Sequence, residues 1–374
     1  MPYEHRPAWM EIDIKALKHN YKVLDRHFKG TKVCAVVKAD AYGHGMVPIA
    51  KALAEEGVDF FAVATVLEAI ELRRALPKSD ILILGYTPTE ATETLLDFDL
   101  IQTLYDKEQA FGFHEIAAQT NRRLRVHVKI DTGMRRLGFK PIPETIVVLE
   151  ALNALKGIEI DGIFSHFAKA DEMDTTSVHQ QGRQFLEVLD MMSERGLKFR
   201  LRHMCNSASA VRFPEYHFDM VRPGIALYGL PPSEEINLEE LGLKEVMCVK
   251  AELAMVKRVA KGDGVSYGHR YYLPKEMNIA TVPLGYGDGL MRALSGKGKV
   301  LIQGVPKTIV GSVCMDQCLV AIDDLEAKRG DCVIVMGGNA HPDVSIMAYA
   351  RALNTISYEV TCLFSNRLHR KIIE

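Results

Sequence analysis

Residues able to do chemistry gather where apolar, strand-like runs end. Val33–Val37 meets Lys38 inside the stretch Ala35–Gly45, AVVKADAYGHG, and the small or turn-prone residues Ala39, Asp40, Gly43 and Gly45 follow. A half-buried lysine in such a place is a Schiff-base former. Two glycines let backbone approach a ligand closely, and Tyr42 and His44 add polar groups to the same turn. The run Leu124–Ile130 passes into Lys129-Ile-Asp-Thr-Gly-Met-Arg-Arg136. Ile158–Phe164 ends in Ser165-His166, and Phe199–His203 continues through Met204 and Cys205 to Asn206 and Ser207. Phe218–Val221 runs into Arg222-Pro-Gly-Ile225. One such cluster alone reads as a solvated strand end or a satisfied core histidine. Five of them at one pole describe an active site rich in cations, with no set of metal ligands.

An excess of cations calls for an anion, and a phosphate-bearing ligand is the simplest. Barrels often hold phosphate at the loops after strands seven and eight. Ser207 supplies a hydroxyl there, and Gly224 and Ile225 offer backbone N–H groups behind Pro223, much as a helix N-terminus would.

The elements that must position these groups alternate. Strand-like runs at Val33–Val37, Phe60–Ala64, Ile81–Leu84, Ile101–Leu104, Leu124–Ile130, Ile158–Phe164, Phe199–His203 and Phe218–Val221 are separated by helical patterns such as Val47–Glu56, Leu67–Leu76, Ile142–Leu155 and Ser177–Arg195. This alternation predicts an α/β fold, an N-terminal (β/α)8 TIM-type barrel. An open doubly wound sheet is the alternative, weakened because no GxGxxG follows the first strand. Trp9–Asp13 reads as a short strand, with Asp13 capping a helix that presents Leu17, Tyr21 and Leu24. After about Pro232 the pattern changes to short, glycine-bounded runs: Cys248–Arg258, Asn278–Val282, Lys299–Ile302, Thr308–Val313, Cys318–Ile322 and Cys332–Met336. These predict a mainly β C-terminal domain, a small barrel or sandwich, with a helix at Val344–Leu353 and a last strand at Ser357–Phe364. The acidic stretch Ser233–Glu240 reads as the linker. The expected division is a barrel over 12–235 and a β domain over 236–374 joined by residues 1–11.

Composition sets the outer bounds. The chain has 374 residues, 48% hydrophobic and 25% charged, with a net charge of −2. That is an ordinary globular balance, and it provides no basic field for nucleic acid or an anionic membrane. The N-terminal MPYEHRPAWMEID carries charges where a signal peptide needs an apolar core, and no apolar run nears the ~20 residues of a membrane span. Seven scattered cysteines form no CxxC pair, which points to a reduced, cytoplasmic setting without zinc.

The stretch AVVKADAYGHG resembles the pyridoxal-phosphate attachment segment of the alanine racemases, a family of barrel-type PLP enzymes, and matching motifs recur along nearly the whole chain. The resemblance implies that Lys38 carries pyridoxal 5′-phosphate. Ser207, Gly224, Ile225, Tyr42 and Tyr358 would hold its phosphate, with Tyr358 in the matching segment Thr355-Ile-Ser-Tyr-Glu-Val360. His203 and Asn206 would support the same pocket, and Arg222, in MVRPGIALYG, would face the pyridine nitrogen. A permanent cation there opposes protonation of that nitrogen and weakens the ring as an electron sink. The competing reading pairs Arg222 with Asp219.

The same resemblance implies two proton carriers on opposite faces of the substrate, Lys38 and Tyr267, the latter in Gly264-Val-Ser-Tyr-Gly268 and supplied by the second subunit of a homodimer. A lysine of pKa ~10.4 must fall to around 7–8 to act as a base near neutrality. His166 and Arg222 are the matching partners that depress the tyrosine. Val310-Gly-Ser-Val-Cys-Met-Asp316 implies that Met315 and Asp316 serve the neighbour's site, and Gly285-Tyr-Gly-Asp-Gly289 that Tyr286 lines the entrance. Arg136 aligns with the arginine on the cofactor's ring oxygen, and Lys129 with a lysine often N-carboxylated to hold that arginine. Two residues depart from the pattern: Arg135 where the family writes glycine, and Cys205 where alanine is commoner. The implied function is racemisation of alanine, supplying D-alanine for peptidoglycan. A broad-specificity serine or lysine racemase is an alternative. So is a barrel-type PLP decarboxylase, which would place a carboxylate near the pyridine nitrogen and a glycine-rich run at the phosphate. A non-enzymatic PLP carrier would lack the β domain and Tyr267.

Overall fold

The computed structural model describes residues 6–236, 238–323, 325–364 and 366–374; Asn237, within the expected linker, and residues 1–5 lie outside them. Among the described residues eight parallel strands close into a barrel: β2 (Lys32–Val36), β3 (Phe60–Val63), β4 (Asp80–Ile83), β5 (Ile101–Leu104), β6 (Leu124–Lys129), β7 (Ile158–Phe164), β8 (Leu201–His203) and β9 (Met220–Val221). The ring closes where Lys32 and Val33 of β2 register with Met220 and Val221 of β9. Strands covered on both faces must be apolar throughout, and every residue of β3, FFAV, is buried. The expected runs at Ile101–Leu104 and Ile158–Phe164 coincide with β5 and β7. β8 and β9 are shorter than expected, beginning at Leu201 and Met220.

Helices wrap this barrel with their starts fixed by sequence. Asp13 Oδ1 accepts from Ala16 N at 2.8 Å and opens the helix Ile14–His27, burying Leu17 and Leu24. Thr65 and Glu68 form a reciprocal capping box at the start of Val66–Ala75. No helix of the described residues is long and apolar enough to cross a membrane.

The remaining strands build a nine-stranded sheet. β1 (Ala8–Asp13) lies antiparallel to β10 (Met247–Glu252) and parallel to the last strand, β19 (His369–Ile373). Between them in the chain come β11 (Met255–Val259), β12 (Gly264–Val265), β13 (Tyr271–Tyr272), β14 (Met277–Val282), β15 (Lys299–Ile302), β16 (Val305–Val310), β17 (Cys318–Ala321) and β18 (Cys332–Gly337). The sheet order is β11-β14-β17-β16-β15-β18-β10-β1-β19, with β12 and β13 pairing separately. The mainly β domain is as expected; its nine strands have β11 and β19 as edges, so they do not close into a barrel.

Four expected elements need correction. Cys248–Arg258 is two strands, β10 and β11, which pair with different neighbours. Thr308–Val313 ends early because Gly311 (φ +67°) turns the chain against Val265 O, where a Cβ would come within 2.8 Å. The expected last strand Ser357–Phe364 is a helix, Ser357–Cys362, burying Ser357, Val360 and Thr361. That i, i+3, i+4 spacing is helical. The expected helix at Val344–Leu353 begins at Ile346, capped by Ser345 Oγ on Ala348 N at 3.1 Å.

Candidate active site

Lys38 opens a turn that L-residues seldom make. Ala39, Asp40, Ala41 and Tyr42 all have φ between 52° and 54°, a left-handed run disfavoured by on the order of 1–2 kcal/mol per residue. Fixed partners hold it. Glu68 Oε1 accepts from Ala39 N at 2.7 Å, and Asp40 Oδ1 accepts from Met46 N at 2.7 Å. From β19, Arg370 pairs with Asp40 at 2.9 Å and donates to Gly43 O at 3.0 Å. Gly43 cannot be replaced, because a Cβ there would lie 2.2 Å from Thr361 O. The corrected helix therefore packs directly on the lysine turn and brings Tyr358 to it; the Tyr42 and Tyr358 rings are 5.9 Å apart.

The turn forms one wall of a cavity of about 770 Å³ at the barrel mouth. Lys38, Tyr42, Lys129, Arg136, His166, Asn206, Ser207, Arg222, Gly224, Ile225 and Tyr358 all line it. His203 stands behind Arg222. Burial first, then the charges of Arg136 and Arg222, pulls the Lys38 amine below the ordinary lysine range, with Glu68 opposing.

Arg222 is buried, and no carboxylate meets it among the described residues. Its Nη1 donates to His203 Nδ1 at 2.6 Å, and its Nη2 donates to Ser165 O at 2.9 Å, Met204 O at 3.1 Å and His166 Nδ1 at 3.1 Å. Asp219 is engaged by Arg202 at 2.7 Å, so the pairing of Arg222 with Asp219 is excluded. Burial lowers Arg222 to about 10, leaving it a cation at neutral pH. The same burial and surrounding cations hold His166 and His203 neutral.

The lip after β8 and β9 is tightly drawn. Ser207 Oγ accepts from Gly224 N at 2.8 Å and Ala226 N at 3.3 Å, which leaves its own proton to donate outward. A Cβ on Gly224 would meet Tyr42 Oη at 2.5 Å. Asn206 caps the helix Ser207–Arg212 through Ser209 N at 3.1 Å. Hydroxyls, a glycine-lined approach, two arginines and two lysine amines suit a planar ligand bearing an anionic group.

Lys129 is buried with its Nζ 4.2 Å from the Phe164 ring centroid, and no carboxylate pairs with it among the described residues. Burial, Arg222 and Arg136 push its amine well below the ordinary range. Asp131 is occupied instead by Gly133 N at 3.0 Å and Arg135 N at 2.9 Å. Arg135 points outward, its side chain 71% exposed and 3.8 Å from Asp131, so it does not fill the space beside Lys129. It holds φ +58°, a conformation that favours glycine. Arg135→Gly should therefore stabilise the fold by less than about 1 kcal/mol, since glycine's greater unfolded-state entropy offsets part of the gain, and should leave KM unchanged. Thermal melts and steady-state kinetics check both; a changed KM would place Arg135 in substrate binding.

Tyr267, Met315 and Asp316 are not brought to Lys38 within one chain. They line a separate cavity of about 550 Å³ that shares no residue with the first, and Tyr267 is 73% exposed. Ser312 Oγ donates to Tyr267 O at 3.1 Å, fixing the turn. Tyr286 N and Gly287 N donate to Cys314 O and Met315 O at 3.0 and 2.9 Å. A Cβ on Gly285 would sit 2.3 Å from Cys314 O, which explains why glycine stands there. Asp316 pairs with Arg367 at 2.7 Å. Glu68 and Arg370 were not picked out from the sequence; the Thr65-x-x-Glu68 capping signature was the one signal available for the former.

Residues 12–232 match the family model described as alanine racemase, N-terminal domain, and residues 246–372 the one described as alanine racemase, C-terminal domain. The chain is 44% identical to an alanine racemase of Clostridium tetani, covering 98% of this chain and 96% of that one. It is 42% identical to an alanine racemase of Desulforamulus reducens, over 98% and 99%. The solved alanine racemase of Clostridium difficile 630 superposes with a TM-score of 0.94 at 40% identity, covering 98% of this chain and 96% of that one.

Proposed function

The chain belongs to the alanine racemase family, and we propose that it interconverts L- and D-alanine with pyridoxal 5′-phosphate at the barrel mouth and two proton carriers, Lys38 and the partner subunit's Tyr267. The observation that carries this reading is that Lys38 shares a cavity with an Arg222 that faces carbonyls and imidazoles rather than an acid. Lys38 would tether the cofactor. Ser207, Gly224, Ile225, Tyr42 and Tyr358 would hold its phosphate, and Arg136 its ring oxygen. Arg222, backed by His203, would face the ring nitrogen, and Asn206 would keep the Ser207 lip in place. When bound, the cofactor withdraws electron density from the substrate's Cα. A cation at the ring nitrogen limits that withdrawal and so discourages transamination.

The protein's own groups then move the protons. An amine whose ammonium form is disfavoured by burial and two arginines takes a proton at neutral pH. Lys38 Nζ serves one face, and the hydroxyl of the partner subunit's Tyr267 serves the other; reversing the roles runs the reaction backwards. His166, bare at Nδ1 toward Arg222, carries its proton on Nε2. The partner's Met315 and the partner's Asp316 would border the substrate, and Tyr286 the entrance. The reading requires a homodimer, a barrel domain over 12–235 and a β domain over 236–374 with 1–11. A cytoplasmic role in making D-alanine for peptidoglycan follows from it. A decarboxylase is disfavoured by Arg222 and Ser207, whereas racemisation of serine or lysine depends on the substrate pocket. Incubating the protein with single enantiomers of alanine, serine and lysine and following chirality tests the reading; no loss of optical activity with alanine would sink it.

Lys129 fits N-carboxylation. Its neutral amine would attack carbon dioxide, forming a carbamate anion and releasing one proton, and the new carboxylate would relieve its cationic neighbours and hold Arg136. Lys129→Ala is then expected to lower kcat about ten-fold or more, the loss of a charge-assisted hydrogen bond, with partial rescue by added acetate. Electron density for an unmodified ammonium at neutral pH, or full activity of the variant, would reject the modification.

A further inference from the structure

Arg222 begins a buried chain of contacts that runs from the cavity toward the opposite end of the barrel. His203 Nδ1 is 2.6 Å from Arg222 Nη1, His203 Nε2 is 2.8 Å from His127 Nδ1, and His127 Nε2 is 3.5 Å from Asp161 Oδ2. Both imidazoles are fully buried and Asp161 is nearly so. His127 Nε2 makes no hydrogen bond of ordinary geometry among the described residues, and the Asp161 carboxylate is the charged group it approaches. Space is reserved for that ring, since a Cβ on Gly162 of β7 would lie 2.7 Å from it.

The chemistry of the donors fixes the direction of the chain. A guanidinium can only donate, so His203 Nδ1 must be bare. A neutral His203 then carries its proton on Nε2 and donates to His127 Nδ1. By the same step His127 carries its proton on Nε2, toward Asp161. Every proton points away from Arg222, and the chain ends on a carboxylate that Arg200 and Arg125 hold at 2.7 and 3.2 Å. The opposite tautomer of His203 would set two N–H groups against each other in a water-free interior, where an unmade hydrogen bond is costly.

We propose that His127 and Asp161 are positioning residues for Arg222: they fix His203 as an acceptor toward the guanidinium, holding it in place over the cavity. The functional consequence rests on the proposed reading in one respect, the role of Arg222 at the cofactor's ring nitrogen.

The test is ¹⁵N NMR of the holoenzyme labelled at histidine, with signals assigned by single replacements. His203 and His127 are each expected to show a bare Nδ1 and a protonated Nε2. In His127→Phe the His203 Nε2–H loses its acceptor, so its ¹⁵N signal should shift while Nδ1 stays bare toward Arg222, and kcat should fall on the order of ten-fold, with KM within about two-fold. His127→Asn places an amide oxygen near the position of Nδ1 and should restore the His203 Nε2–H signal and most of kcat. A wild-type His203 protonated at Nδ1 would overturn the proposal, as would His127→Phe with an unshifted His203 Nε2 signal and unchanged kcat. If His127→Phe does not fold, the wild-type spectrum decides alone. The tautomers also stand apart from the reaction: found as drawn in a protein that racemises nothing, they support the chain while the functional reading fails.

Discussion

Replacing Lys38 by alanine is expected to abolish racemisation, by about three orders of magnitude or more, in a protein that remains folded. On the proposed reading the loss follows from removing both the tether and one proton carrier, each general-base contribution alone being on the order of 10²–10⁴-fold. The fold should survive because the left-handed turn is held by Ala39 N, Asp40 and Gly43 O rather than by the lysine side chain. Lys129 is the internal rival. It lines the same cavity, and burial and nearby arginines lower its amine even more strongly. Borohydride reduction of the wild-type holoenzyme followed by peptide mapping separates the two. Label on Lys38 is expected, with the label and the yellow colour gone in Lys38→Ala. Label on Lys129 would reverse the assignment.

The barrel was legible because its strands are buried on both faces and so read as continuous apolar runs, each ending in polar residues that the fold then gathers. Lys38, Lys129, His166, Ser207 and Arg222 come from five different strand ends, and they line one cavity. The closing elements were harder to read. The helix Ser357–Cys362 has only six residues, too few to display a period clearly. The left-handed run after Lys38 was invisible: Ala39, Asp40 and Ala41 carry no glycine signal, and their conformation is imposed by Glu68 and Arg370 from distant parts of the chain. The His127–Asp161 contact was equally hidden, since both residues sit within apolar strands and their partners are set by barrel closure.

Arg135 illustrates the converse. The sequence placed an extra cation beside the site, but only the backbone and exposure show it turned outward. Charge counted along the chain overstates charge within the cavity, because a side chain at a turn can point to solvent.

Mixing inactive Lys38→Ala with inactive Tyr267→Phe should restore activity, and this is the sharpest consequence of the two separate cavities. In one chain Tyr267 is exposed and lies with Met315 and Asp316, apart from Lys38. If each site is completed across a two-fold dimer, a hybrid holds one site lacking both groups and one site with both intact. Random exchange of equal amounts makes about half of the dimers hybrids, so roughly one quarter of wild-type activity should return. The dimer must be exchanged, for instance by dilution and reconcentration, with hybrids verified by mass spectrometry. Activity that stays at background after verified exchange would mean that Lys38 and Tyr267 do not meet across an interface. Recovery near one quarter, with an unaltered KM, would mean that the intact half-dimer works as the wild-type site does. A Lys38→Ala and Tyr267→Phe double variant mixed with wild type supplies the control: its hybrids pair each defect with one intact partner group, so neither of their sites is complete.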